Sequence, residues 1–259
     1  MHSTYYEYRP VGNSEELLAL LKLEHRVYCA SRLAGFVDAT ETEFEIDEFD
    51  MHAWHLGLFR IDEEGMSRIV GFHRPIWELD GPMRDEVLKI AKTKPHTLRR
   101  LQRPLDFPLP FVQYWAGPNP MTHLYWDVRA HGGRVMEGTR MGIEEEERTL
   151  RLSVHIVESG LALGYFFFGM AHVIAGVCSR HVPFYRRYGF EPAPGMEQKH
   201  IHGIPGTLLL GSWDTVPTHV KERLHNRAEA YRTTGRICYK PMQPENYYAP
   251  ECEAKTKAA

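Results

Sequence analysis

The order of hydrophobic patterns along the chain limits its possible folds more than any other feature of the sequence. A helical pattern covers residues 14–31, and Asn13 or Ser14 can cap its start. Two short apolar runs follow, Trp54–Arg60 and Arg68–Arg74, separated by Asp-Glu-Glu-Gly. That spacing is typical of a β-hairpin.

Strand-like and helix-like segments then alternate towards the end of the chain. The predicted strands are Tyr125–Ala130, Tyr165–Ala175 and Leu208–Trp213, and the predicted helices are Glu144–Leu163, His181–Tyr188 and 215–230. A helix, a hairpin and alternating elements predict one mixed α/β (α+β) domain, a central mixed sheet flanked by helices. We expect this domain over residues 1–247 and a polar tail over 248–259.

Composition and charge exclude several classes of protein. With 43% hydrophobic residues the chain can bury a core, and a formal net charge of −3 provides no overall basic field for nucleic acid. The longest apolar stretch, Leu161–Val177, is interrupted by glycine and histidine, so we expect no membrane span. No glycine-rich nucleotide-binding motif is present.

The cysteines and histidines point away from metal binding. Four cysteines are scattered without a C-x-x-C pair, and fifteen histidines include no H-E-x-x-H. We therefore expect no metal and no tightly bound cofactor. Reduced thiols and the absence of a basic-then-apolar start predict a cytoplasmic location.

Four short segments in the first half of the chain carry a family resemblance. They are Val27-Tyr28-Cys29, Gly35-Phe36, Glu45-Ile46-Asp47-Glu48-Phe49-Asp50 and Gly71-Phe72-His73-Arg74. Their order and spacing resemble the "VF/VY", "GW/GF", "ExDxxD" and "GxxR" motifs of the acyl-homoserine-lactone synthases and N-acyl amino acid synthases. The resemblance covers residues 20–75.

A second stretch, Val182–Phe190, resembles the "FYxxxGF" signature of the GNAT acyltransferase superfamily. The resemblance implies a GNAT-like sheet with a splayed cleft for the acyl thioester. It also places Tyr185 beside the thioester sulfur, where a phenol can protonate the departing thiolate. The alternative is that Tyr185 only packs its helix against the sheet.

The chain departs from the family pattern at three places. Glu24 stands where the family has an arginine, four residues before the aromatic residue of "VF/VY". We match the family's "WExSR" strand to Trp126-Asp127-Val128-Arg129. The phosphate-binding loop of coenzyme A-dependent members is absent, and Gly132–Gly142 is its nearest approximation. This absence favours acyl carrier protein over acyl-CoA as the donor.

The resemblance also suggests which residues hold the amine. The acidic residues Glu45, Asp47 and Asp50 can orient a cationic amine or pair with Arg74 and Arg129. Alternatively, they form a structural ion-pair network that holds the N-terminal helix against the sheet. Asp127 is a candidate base for the amine proton, or it simply pairs with Arg129. The full candidate set is catalytic Tyr185 and Asp127, with substrate-binding Glu45, Asp47, Asp50, Arg74, Arg129 and Phe36.

The resemblance implies a bacterial N-acyltransferase that moves a fatty acyl group to the amine of an amino acid or homoserine-derived molecule. Three alternatives stay open: a lactone synthase that uses S-adenosylmethionine, a small-molecule N-acetyltransferase that uses acetyl-CoA, and a binding protein without activity. Carrier-protein docking is expected on a basic surface, or that surface is merely solvated. It comprises Arg99, Arg100, Arg103, Arg186 and Arg187.

Overall fold

The computed structural model describes residues 4–37, 43–77, 81–101, 105–115 and 118–241, apart from the side chains at 95, 96 and 100. The predicted polar tail, 248–259, lies outside these residues, as does Arg103. Among the described residues, no helix combines the length and the apolar character needed to cross a membrane.

Nine strands form one sheet. They are β1 (Tyr5–Pro10), β2 (Leu56–Ile61), β3 (Ser67–Ile76), β4 (Val135–Ile143), β5 (His172–Cys178), β6 (Glu191–Pro192), β7 (Lys199–Ile201), β8 (Ile204–Ser212) and β9 (Ile237–Tyr239). The strand order is β6-β8-β5-β4-β3-β2-β1-β9, and β7 pairs with β8. Only the β4–β5 pair is parallel among the pairings described, so the sheet is mixed as predicted.

The helices are α1 (Ser14–Cys29), α2 (Arg84–Ala91), α3 (Pro95–Leu101), α4 (Phe111–Tyr114), α5 (Pro120–Ala130), α6 (Leu150–Ala162), α7 (Val182–Arg186) and α8 (Thr218–Thr234). Neighbouring residues of a strand point to opposite faces, so Phe59 packs with the leucines of α1 while Leu58 packs with α6. Helices therefore cover both faces of the sheet, as expected for this fold class.

Local signals in the sequence explain why α1 forms where it was predicted. Asn13 caps it, because its side chain accepts a hydrogen bond from the backbone amide of Glu16. Leu17, Leu20 and Leu21 recur at helical spacing and are fully buried. The hairpin of β2 and β3 is likewise confirmed, with its turn at Asp62–Met66.

Two predicted strands are wrong. Residues Tyr125–Ala130 belong to helix α5, because Asn119 and Thr122 form a capping box and Pro120 occupies the first turn. The segment from Tyr165 continues α6 through a π-helical turn at Leu163–Phe167, and the strand begins only at His172. Aromatic residues there pack against Trp213 and Tyr231 instead of lying in the sheet.

Two of the cysteines in the described part of the chain, Cys29 and Cys178, carry free thiols.

The parallel strands β4 and β5 pair over only part of their length. Their register runs from Val135–His172 to Gly138–Ala175. Beyond this point β4 stays paired with β3 as far as Ile143, while β5 stays paired with β8 as far as Cys178. The two strands therefore separate, and the sheet opens between them, as the splayed cleft of the sequence prediction requires.

Candidate active site

A cavity of about 310 Å³ lies where β4 and β5 separate. Its walls include residues 137–141 of β4 and 175–178 of β5, together with Tyr185 of α7. Aromatic side chains from the first half of the chain and from α4 close another side, and Phe36 contacts Tyr114 with ring centroids 5.6 Å apart. The opening in the sheet thus becomes a pocket that is partly aromatic and partly charged.

Arg74, near the C-terminal end of β3, holds the acidic segment Glu45–Asp50. Its Nη1 donates to Asp47 Oδ1 at 2.9 Å and to Asp50 Oδ1 at 2.8 Å, and its Nε donates to Thr139 at 3.2 Å. All three charged side chains are buried. Since one guanidinium group holds two carboxylates, the segment is fixed against the sheet.

Arg140 provides a second guanidinium group at the same place. A bulge in β4 sets a single residue of β3, His73, opposite Arg140 and Met141, and Arg140 takes the left-handed backbone with φ of 39°. Its side chain contacts Asp47 at 2.9 Å, Glu45 at 3.5 Å and Glu24. A left-handed non-glycine residue costs about 1–3 kcal/mol, which the surrounding ion pairs offset.

Burial and charge set the ionisation of this cluster. Burial disfavours the carboxylate of Asp47, but Arg74 and Arg140 outweigh that effect and lower its pKa. Burial also disfavours the charged form of Arg74, but the attraction of Asp47 and Asp50 outweighs burial and raises the pKa of Arg74. For Glu24, burial dominates over the attraction of Arg140 and raises the pKa to about 7.

Two further titratable groups face the cavity. Burial raises the pKa of Tyr185 to about 12, so its phenol is protonated at neutral pH. Glu137 on β4 accepts a hydrogen bond from the Phe111 amide at 2.8 Å. Burial nevertheless raises its pKa to about 8. A protonated phenol and a carboxyl group that titrates near neutrality are suited to acid and base roles respectively.

The short helix α7 holds Tyr185 at the cavity. It ends ahead of Gly189, whose φ is 80°, and a Cβ at this position would lie 2.2 Å from the Thr215 oxygen. Only glycine fits that close approach. A smaller, largely apolar cavity of about 40 Å³ adjoins Tyr185 and is lined by Met136, Met141, Val157, Leu161, Val173 and Phe190, among others.

The structure brings together most of the predicted site residues. Phe36, Glu45, Asp47, Arg74 and Tyr185 all line the main cavity. Asp50 lies behind them, where it holds Arg74.

Two predicted residues lie elsewhere. Asp127 and Arg129 are exposed on α5 and do not line the cavity. Asp127 lies 3.6 Å from the exposed His131, and Arg129 donates to the Gly133 carbonyl at 3.5 Å. Their assignment to a site strand is wrong, because the capping signal of α5 makes this segment a helix.

The sequence prediction missed Glu137, Thr139 and Arg140. They belong to the β4 sequence Met-Glu-Gly-Thr-Arg, which fits the "WExSR" pattern at the glutamate, the hydroxyl residue and the arginine. The stretch Trp126–Arg129 has one residue fewer and lacks the hydroxyl residue. The matching signal was therefore present ten residues further along, after the turn at Gly132-Gly133.

Comparisons with known proteins agree with this geometry. The sequence profile of N-acyl amino acid synthase FeeM matches residues 117–210. FeeM from uncultured soil microbes has a solved structure with a TM-score of 0.52 and 14% identity, and the match covers 84% of this chain and 97% of that one.

A CoA-dependent acyl-homoserine lactone synthase, BjaI, solved with MTA, also has a TM-score of 0.52, with 13% identity over 86% of this chain and 90% of that one. No curated protein matches the sequence. Residues 117–210 are thus similar in sequence to an N-acyl amino acid synthase, and the chain shares its fold with that acyltransferase and with an acyl-homoserine lactone synthase.

Proposed function

We propose that the chain transfers a fatty acyl group from a thioester donor to the amine of a small acceptor derived from an amino acid or homoserine. One observation carries the proposal: Tyr185 and the arginine–carboxylate cluster line the same cavity, at the point where β4 and β5 separate. One cavity is therefore bounded by a phenol that can act as an acid and by charged side chains that can bind the acceptor.

The chemistry follows from the groups present. The amine must lose a proton before it attacks the thioester carbonyl carbon, and Glu137 is the buried carboxyl group that can accept it. Attack forms the C–N bond, and collapse of the tetrahedral adduct breaks the C–S bond. The second proton of the attacking nitrogen passes to the departing sulfur, while the phenol of Tyr185 donates a hydrogen bond to that sulfur, so the products are an amide and a free thiol.

The acidic segment before α6 supports a carrier-protein donor. Glu144–Glu147 precede the helix start, and the first three line a groove that continues from the main cavity past Cys178 and His181. A helix start normally attracts phosphate, but two exposed carboxylates, Glu145 and Glu146, stand in front of this one and would repel a diphosphate bound there. Glu144 and Glu147 are already paired with arginines, and the same groove is lined by Arg26, Arg32, Arg148 and Arg180. A pantetheine arm without adenosine diphosphate avoids that repulsion.

The test combines purified chain, acyl carrier protein or coenzyme A loaded with the same fatty acid, and a panel of amines that includes amino acids and S-adenosylmethionine. Mass spectrometry should detect an N-acyl amine together with stoichiometric free thiol. Methylthioadenosine as a product would instead assign the lactone synthase reaction. Thiol release that never exceeds spontaneous hydrolysis, with every donor and amine, would refute acyl transfer.

A further inference from the structure

The charge of the cavity wall constrains the acceptor. Five carboxyl groups line the cavity or contact its two arginines, Arg74 and Arg140: Glu24, Glu45, Asp47, Asp50 and Glu137. If Glu24 and Glu137 hold protons, three carboxyl groups still oppose two guanidinium groups. Among the described residues, the wall therefore carries an excess of negative charge.

The protein's own carboxylates already neutralise both arginines. Arg74 contacts Asp47 and Asp50, while Arg140 contacts Glu24, Glu45 and Asp47. A free amino acid would bring a carboxylate as well as an amine. That carboxylate would have to compete with these buried pairs for its counter-ion.

Glu137 provides an independent sign of a cationic ligand. Its side chain is buried, and one oxygen accepts from the Phe111 amide. The other oxygen makes no hydrogen bond within the described part of the chain, although the residue lines the cavity. An ammonium group, with three donors, can satisfy such an oxygen.

The rest of the cavity wall suits an acceptor with an apolar or aromatic carbon skeleton. Phe36, Tyr114 and Trp115 line the cavity beside the charged residues. Aromatic faces stabilise a nearby cation and pack against flat apolar groups. The cavity thus presents surfaces for an amine and for its carbon frame.

We propose that the acceptor is a primary amine without a carboxylate, such as an arylalkylamine or a diamine, and that a free amino acid is the poorer substrate. This inference rests on the proposed acyl transfer and specifies its acceptor. Glu24 determines the preference in part, because its carboxylate neutralises Arg140, which could otherwise bind a substrate carboxylate.

The experiment compares acceptors that differ only at the carboxylate. Tyramine, tyrosine and tyrosine methyl ester are assayed with one acyl donor, and putrescine is compared with ornithine in the same way. We expect kcat/KM for tyramine and the ester to exceed that for tyrosine at least about tenfold, equivalent to about 1.4 kcal/mol. Equal or better use of the two amino acids would overturn the inference and leave acyl transfer standing. Failure to acylate any amine would remove the proposed function itself.

A Glu24→Gln variant tests the cause of the preference. Removing this charge should raise the ratio of tyrosine to tyramine kcat/KM several-fold. The matched control is Glu16→Gln on the same helix, since Glu16 pairs with Arg9 and does not line the cavity. An unchanged ratio in a folded Glu24→Gln protein contradicts the role of Glu24. If that variant fails to fold, the methyl ester comparison on the unaltered chain still decides the main inference.

Discussion

The hydroxyl of Tyr185 stays protonated at neutral pH, because burial raises its pKa to about 12. A thiol titrates near 8.5, so full proton transfer from this phenol to a thiolate is uphill, and the phenol acts mainly as a hydrogen-bond donor. Tyr185→Phe should lower kcat about tenfold to a hundredfold, at or below the lower limit for full general acid catalysis, with little change in the amine KM. Steady-state kinetics with a thiol readout measure both parameters.

Tyr165 offers a matched control for this substitution. Its hydroxyl is buried and makes no hydrogen bond with the described residues, and it does not line the cavity. Tyr165→Phe should leave kcat unchanged. Equal losses in the two variants would mean that the effect of Tyr185→Phe is structural.

Arg74 tests whether geometry or charge matters at the cluster. Lysine keeps the charge but cannot hold Asp47, Asp50 and Thr139 from one planar group. Arg74→Lys should reduce activity and lower the free energy of unfolding by about 1–3 kcal/mol. Arg186→Lys is the control, because its pair with Glu191 is exposed. If denaturant unfolding gives the same free energy of unfolding for the two variants, the guanidinium group of Arg74 has no structural role.

At the scale of elements, strand β4 contributes both Glu137 and Arg140 and makes the site sensitive to pH. Burial raises the pKa of the Glu137 carboxyl to about 8, so below that pH the folded protein holds its proton. The base form therefore appears as pH rises, and kcat/KM should increase through about pH 8. In the unfolded chain this carboxyl group titrates near 4.5, so stability should fall as the pH rises from about 4.5 to about 8 and should lose no more from this group above pH 8.

Glu137→Gln removes both effects. We expect a large loss of activity, a kcat/KM profile without the rise near pH 8, and a smaller loss of stability between about pH 4.5 and about pH 8 than in the unaltered chain. Activity profiles that bracket the folded pKa of about 8, and thermal unfolding from about pH 4.5 to above pH 8, measure these changes. A rise near pH 8 that survives in Glu137→Gln would assign the base to another group.

Elements with strong local signals could be predicted from the sequence. The Asn13 cap and leucine spacing of α1, the β2–β3 hairpin and the helix before Gly189 are all confirmed. The β4 strand was missed, because Glu137, Thr139 and Arg140 interrupt its apolar pattern. Their burial depends on partners from α1 and β3, and contacts so distant in sequence leave no local pattern.

At the scale of the whole molecule, the site is assembled from both halves of the chain across one opening in the sheet. Arg74 and the acidic segment come from the first half, while Glu137, Arg140 and Tyr185 come from the second. Residues that are far apart in sequence meet because β3 pairs with β4 and because β4 and β5 separate. Each motif alone therefore says little about the substrate.

The groove beyond the cavity leads to the last prediction, which concerns the donor. Glu145 and Glu146 are exposed beside this groove, at the segment that precedes α6. A diphosphate that approaches the helix start would meet both charges, and screening is weak at low salt. The chain should therefore use acyl carrier protein with higher kcat/KM than the matching acyl-CoA.

Reversing these charges should open the site to coenzyme A. We expect the double variant Glu145→Lys, Glu146→Lys to raise kcat/KM for acyl-CoA about tenfold at low salt, and the gain should shrink as ionic strength rises. Glu222→Lys on α8 is the control, because this residue is exposed and lies outside the groove. A gain of the same size in the control would reflect net charge alone. No gain in the double variant would show that the acidic segment does not select the donor.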